Sequence, residues 1–264
     1  MNEIIELLKY EIKRPTSYGT FHLVSLGISF LLILILCIRK EKNHERSLKV
    51  ILGFYGIIAL ILEVLKQIIW SYNNINGVAI WDYQWYAFPF QLCTTPIIVS
   101  IICLFLKKNN FRTSMLSFMA FFTILGSLAT AIYPESCFVE TLLVDIHTMY
   151  LHLGALVVSI YLVISKEVKL DFKNLMRGYI VFLSFALLAQ LLNIYVYNSG
   201  VLNGEVFNMF YISPFFESSL PIYNTIQSNF PYLIFLLIYL ISIFIGGLLI
   251  YSLFKVICYN KVGD

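Results

Sequence analysis

The stretch FPFQLCTTPIIVSIICLF, residues 88–105, decides what kind of protein this is. Its second half is apolar enough to sit in a bilayer, yet its first half carries two prolines, an amide and a thiol. Polar and irregular chain at membrane depth is tolerated only where it is buried in protein or lines a wet cavity. The stretch therefore predicts a membrane segment that lines a reaction or binding cavity near one face of a bilayer.

The surrounding chain agrees with that class. Its 264 residues are 59% hydrophobic and only 12% charged, and mean hydropathy is +0.82. Soluble domains carry about 25% charged residues, and no long stretch here has such a composition. The five cysteines, Cys37, Cys93, Cys103, Cys137 and Cys258, lack metal-type or redox spacing. Most sit in or beside apolar runs, where a thiol acts as a small hydrophobe and no disulfide framework is expected. Nucleotide and nucleic-acid motifs are absent, and neither a metal nor another cofactor is implied. The opening MNEIIELLKYEIKRP lacks the order of a cleavable signal peptide.

Crossing a bilayer takes about 20 apolar residues. Seven segments meet that length, at 21–39, 48–72, 86–106, 114–133, 144–166, 178–198 and 229–255. The prediction is an all-α polytopic protein, a seven-helix transmembrane bundle over 21–255 with a cytoplasmic tail at 256–264. Arg39, Lys40, Lys42, Arg46 and Lys49 follow the first span, Lys107, Lys108 and Arg112 the third, and Lys166, Lys169, Lys173 and Arg177 the fifth. Lys255 and Lys261 lie at the C-terminus, while the loops 73–85, 134–143 and 199–228 contain no Lys or Arg. That alternation places the C-terminus in the cytoplasm and the N-terminus outside. Residues 1–20 read as an interfacial segment, since Glu3, Glu6 and Glu11 balance Lys9, Lys13 and Arg14. Ile4, Ile5, Leu8 and Ile12 form an apolar helical stripe that ends before Pro15.

Counting about 1.5 Å per helical residue puts Glu63, Cys93, His152 and Gln190 about 10–13 Å below the outer face. Lys66, Gln67, Gln91, His147 and Asn193 fall somewhat shallower, in the same leaflet. Glu63, Lys66, Gln67 and Trp70 share one helix face by i, i+3, i+4, i+7 spacing. Asp145, Thr148 and His152 share another, as do Gln190, Asn193 and Tyr197, whereas Gln91 is turned away from the Pro89–Cys93–Pro96 side. Ionisable groups at such depth cost at least about 2.5 kcal/mol each and normally face a bundle interior or wet cavity. His147 lies about 140° around its helix from His152, which favours a structural, interfacial role for it.

The motifs FPFQLC at 88–93, SLATAIYPE at 127–135, YLHLGALVVSIYL at 150–162, NMFYISP at 208–214 and FPY at 230–232 resemble the YwaF-like integral membrane proteins. These bacterial proteins are related to a eukaryotic transmembrane enzyme regarded as a cysteine-dependent phospholipid acyltransferase. The resemblance covers roughly residues 48–250. It implies a thiol role for Cys93, an intramembrane histidine at His152, and an Asn-and-Pro motif at Asn208 and Pro214. Many relatives carry His where this chain has Gln91, so His152 is the partner left for the thiol. The resemblance also implies a multi-pass protein of a bacterial cell membrane.

A thiol in apolar surroundings is inert unless something stabilises its thiolate, and His152 within hydrogen-bond reach would do so. The expected chemistry is acyl transfer, with Cys93 attacking an ester of a membrane phospholipid or other acyl lipid. Lys66 or an amide would stabilise the oxyanion. Glu63, Gln190 and Asn193 are candidates to orient the imidazole, while Asp145 lies two turns away. Gln67, Gln91, Thr148 and Asn208 complete the expected cavity, with loop 199–228 lying over it as a lid. Two other readings stay open: an ion-coupled transporter working through Glu63 and Lys66, and a non-catalytic lipid-binding or sensor protein in which Cys93 only packs.

Overall fold

Apolar segments in hydrocarbon must satisfy their backbone groups internally, and helices are the local way to do so. A computed structural model describes residues 2–38, 43–75 and 78–259. Arg39, Lys40, Lys42 and Lys261, named above for orientation, lie outside the described residues, as do 260–264 of the expected tail. The side chains of Glu3 and Ile4 lie outside them as well.

The described chain is mostly helical, and six helices are long and apolar enough to cross a membrane. They are α2 (Thr20–Ile38), α3 (His44–Ser71), the continuous span Asn110–Ile132, α7 (Leu142–Ile164), α8 (Phe172–Asn198) and α10 (Tyr232–Tyr259). Within the third of these, α5 (Asn110–Phe118) and α6 (Ile124–Ile132) are joined by a π-helical turn, Met119–Thr123. The central stretches of Asn110–Ile132 and α7 are 67% and 61% buried, against 11% for α2 and 22% for α10. Hence α5–α7 form the middle of the bundle, while α2 and α10 present apolar faces outward.

The segment 86–106 departs from the long helix that hydropathy predicts. Only Thr95–Phe105 is helical (α4), and its 11 residues span about 16 Å, half a hydrocarbon core. Pro96 stands in the first turn of α4, where its missing N–H goes unnoticed. Pro89 biases Phe88 away from helical geometry and removes another donor. Between them residues 91–94 form a turn: Thr94 Oγ1 accepts the Gln91 N–H at 2.9 Å and donates to its carbonyl at 3.0 Å.

Close backbone approach sets two of the crossings. A Cβ on Gly178 of α8 would lie 2.8 Å from the Ser117 carbonyl of α5, and one on Gly154 of α7 would lie 2.8 Å from the Tyr55 ring of α3. The π turn leaves the Met119 carbonyl available, and Ser159 Oγ on α7 donates to it at 2.8 Å.

One end of the bundle carries a β-hairpin, β1 (Tyr72–Ile75) against β2 (Val78–Trp81), with Ile75 opposite Val78. The N-terminal segment is stitched to this end. Its helix α1 covers only Asn2–Leu8, so Ile12 is not part of a helical stripe. Instead the Ile12 N–H donates to Glu140 and the Leu142 N–H to Tyr10, at 2.8 and 3.1 Å. Lys9 Nζ donates to the Tyr72 carbonyl, and Arg14 Nη2 to that of Glu135 at 2.8 Å.

The opposite end is built from Asx caps. Asn43, Asn109 and Asp171 accept the N–H groups of Arg46, Arg112 and Asn174 at 3.0, 2.8 and 2.7 Å. Arg112, 2% exposed, meets both oxygens of Glu45 at 2.7 and 3.1 Å and donates to the Leu106 carbonyl at 3.2 Å.

Candidate functional site

Toward the hairpin end a cavity of about 500 Å³ opens between α3, α7, the chain ahead of α4 and the loop that follows α8. Lys66 and Trp70 line it from α3, and His147, Thr148, Leu151 and His152 from α7. Gln91, Cys93 and Thr94 enter from the turn before α4, while Asn208, Tyr211 and Glu217 come from the loop. Cys93 is not inside a helix, as the 86–106 span would have it. It sits in the turn just ahead of the α4 N-terminus, where the helix dipole favours an anion, although the Thr95 and Ile97 N–H groups already donate to the carbonyls of Gln91 and Thr94 at 3.1 and 3.0 Å.

Cys93 and His152 thus share one cavity. The His152 imidazole lies beside the backbone of Gly126 on α6. Among the described residues no hydrogen bond joins it to Cys93. The expected orienting groups lie elsewhere. Asp145 is fully buried and accepts the Val139 N–H at 2.9 Å, holding the chain ahead of α7.

Glu63 is 3% exposed and is the centre of a charged cluster rather than a cavity wall. Its Oε1 lies 2.7 Å from Lys66 Nζ and accepts Gln67 Nε2 at 2.8 Å, while its Oε2 lies 2.9 Å from His147 Nε2. The i, i+3, i+4 spacing on α3 delivers two of these partners, and α7 brings the third. Gln67 also donates to the Ala87 carbonyl at 2.6 Å and so ties α3 to the chain entering the Cys93 turn. Lys66 reaches into the cavity, with Nζ 5.8 Å from the Trp70 ring centroid.

Three amides expected to serve a substrate instead hold the loop between α8 and α9 (Pro221–Asn229). Gln91 accepts the Phe210 N–H at 2.7 Å and donates to the Asn208 carbonyl at 2.9 Å. Asn193 makes the same two-point contact with Met209, at 2.7 and 3.1 Å. Asn208 accepts the Ser213 N–H at 2.8 Å and donates to the carbonyls of Phe216 and Glu217. With Phe207, Met209, Phe210 and Ile212 buried, this loop is a plug sunk into the bundle and not a superficial lid. The left-handed backbone of Phe210 and Tyr211, at φ 58° and 59°, is held by these amides. Gln190 faces Tyr232, and neither it, Gln67 nor Asn193 lines the cavity.

His147 and Cys137 are the residues that sequence reasoning undervalued. Both line the cavity. A helical wheel separates His147 from His152, but a cavity bounded by four segments admits residues 147, 148, 151 and 152 together. Glu63 and Lys66 lie nine and six residues from the start of the hairpin at Tyr72, and His147 lies five residues into α7, so their similar height was the available signal.

No curated protein and no solved structure matches the chain. The TMEM164 family model matches residues 17–250, which include five of the six long helices, most of α10 and the whole cavity. The chain is therefore a polytopic membrane protein of the TMEM164 family.

Proposed function

We propose that this protein is a membrane acyltransferase in which Cys93 is the nucleophile and His152 its proton acceptor and donor. The observation that carries the reading is the placement of Cys93 at the α4 N-terminus, facing the same 500 Å³ cavity as His152, Lys66 and His147. The thiol proton passes to His152 as sulfur bonds the ester carbonyl carbon of a lipid. The ester C–O bond then breaks, and the departing alkoxide takes the proton. A second lipid hydroxyl or amine attacks the thioester and regenerates the thiol. The Lys66 ammonium is placed to balance the oxyanion, since only part of its charge is taken up by Glu63.

In this reading α4 and the irregular chain before it complete a seventh crossing. The hairpin end faces outward and the basic loops face the cytoplasm, as the Lys and Arg distribution requires. The chain belongs to the YwaF-like bacterial branch and resides in the plasma membrane, drawing phospholipids or other acyl lipids from the outer leaflet.

A lipid carrying a thiol-directed carbon electrophile, such as a chloroacetamide that alkylates sulfur with loss of chloride, tests the reading. Labelling is expected at Cys93, abolished in Cys93→Ala and strongly slowed in His152→Ala, with Cys103 unlabelled. Equal labelling of Cys93 and Cys103, or no effect of His152→Ala, would remove the mechanism. The buried Glu63–Lys66–His147 cluster supports a second reading, ion-coupled transport. Proton-dependent uptake lost in Glu63→Gln while Cys93→Ala retains it would favour transport over catalysis.

A further inference from the structure

The bundle end opposite the hairpin holds another concavity, of about 310 Å³, between the α4–α5 turn and the α7–α8 turn. Lys108 reaches it from the first turn, Lys166 and Lys169 from the second, and Lys173 and Arg177 from the first two turns of α8. Among the described residues none of these five cations forms an ion pair with a carboxylate. The two acids at the rim are Glu167 and Asp171. Asp171 is already committed: its Oδ1 accepts the Asn174 N–H at 2.7 Å as the cap of α8, and its Oδ2 faces Asn174 Nδ2 at 3.4 Å.

The concavity is built, not merely charged. Asn174, 4% exposed, accepts Arg177 Nη1 at 3.1 Å, while Asn110 across the groove accepts Arg177 Nη2 at 2.8 Å. That fork fixes the guanidinium between the two turns. Lys166 holds a left-handed backbone at φ 60°, closed by its N–H to Val163 at 3.1 Å and by Val168 N–H to Leu162 at 3.0 Å. Non-glycine residues rarely adopt that conformation. The first-turn N–H groups of Phe172 and Lys173 are among those a helix leaves without an internal acceptor, and the α8 dipole adds positive potential there. Charges that serve only to orient a membrane protein need no such convergence. Lys107 and Lys49 carry the same sign at the same end without lining the concavity.

We propose that this basic concavity binds a phosphate group, carried by an anionic phospholipid headgroup or present as a free anion. Its volume suits a phosphate with a small polyol, and basic pockets between membrane helices recognise such headgroups. The inference is independent of the acyl-transfer reading, because no residue is shared with the Cys93 cavity.

The test uses the full chain purified in detergent, with phosphatidylglycerol, phosphatidylcholine and inorganic phosphate as separate probes and bound lipid counted by native mass spectrometry. Phosphatidylglycerol is expected to bind more tightly than phosphatidylcholine. Each exposed lysine removed should weaken it about fivefold, so Lys169→Gln/Lys173→Gln together lose about 25-fold. Lys108→Gln, on the other turn, should lose about fivefold without touching α8. The pair Lys49→Gln/Lys107→Gln changes charge equally on the same face and should leave binding within about twofold. Displacement by inorganic phosphate would identify the free anion as ligand, and lack of displacement the headgroup. Equal losses in the two double variants, or no preference for either phosphate source over phosphatidylcholine, would overturn the proposal.

Discussion

Arg112 and Glu63 are buried charges at opposite ends of one bundle, and they are finished in different ways. Arg112 is met by both Glu45 oxygens and a carbonyl, and it lines neither of the two cavities described above. Glu63 is divided among Lys66, Gln67 and His147, and two of those three partners also line a cavity. A charge whose partners face no cavity is a fastening. One whose partners face open space can change protonation or partner when something enters. The contrast separates a structural clamp from a site, although hydropathy treats both as interruptions of apolar chain.

The largest effect that can break this contrast is on activity. His152→Ala is expected to lower acyl transfer by about 10²–10⁴-fold with the thermal midpoint nearly unchanged, whereas Glu45→Ala should leave turnover per folded molecule intact. Equal turnover in both would erase the difference between the two ends. Next, Glu63→Ala strips a carboxylate from Lys66 and His147 at once and should destabilise by about 3–5 kcal/mol, read by unfolding in mixed detergent. Glu45→Ala leaves Arg112 buried with one carbonyl. Because Glu45 itself is half exposed, about 2–3 kcal/mol is expected in the same assay. Asn193→Leu removes the two-point hold on Met209 and should lose about 1–3 kcal/mol, with faster proteolysis between residues 199 and 220. The smallest effect is at the caps, where Asn109→Ala should lose about 1 kcal/mol and leave both sites untouched.

The six long helices were legible because bilayer thickness fixes one period and one length. Sequence places α7 at 144–166, and the structure has Leu142–Ile164. The same counting failed at 86–106, where Pro89 and Pro96 outweigh a run of apolar residues that has the right total. The hairpin was passed over as a loop, although Asn76-Gly77 between two short runs is a two-residue turn signal. In the site, the depth of Gln91 and Asn193 was readable and Asn208 was named only through the resemblance, but the partners of all three were not readable. A buried amide in the outer leaflet needs acceptors and donors of some kind, and only the path of the 199–220 loop reveals that the backbone of 208–217 supplies them. For His147 a single-helix projection hid Glu63, which lies on a different helix.

The π turn at Met119–Thr123 holds one residue more than an α-helical turn of the same rise. Chain length can therefore change by one at this point without altering which side of α6 meets α7. Removing any one of residues 119–123 would convert the turn to ordinary helix and return Gly126 to the same azimuth facing His152. A deletion at Ser114 or Leu125 would instead swing one half of the span by about 100° relative to the other. In any alignment of related chains, a single-residue gap inside 119–123 is the one that this span can absorb.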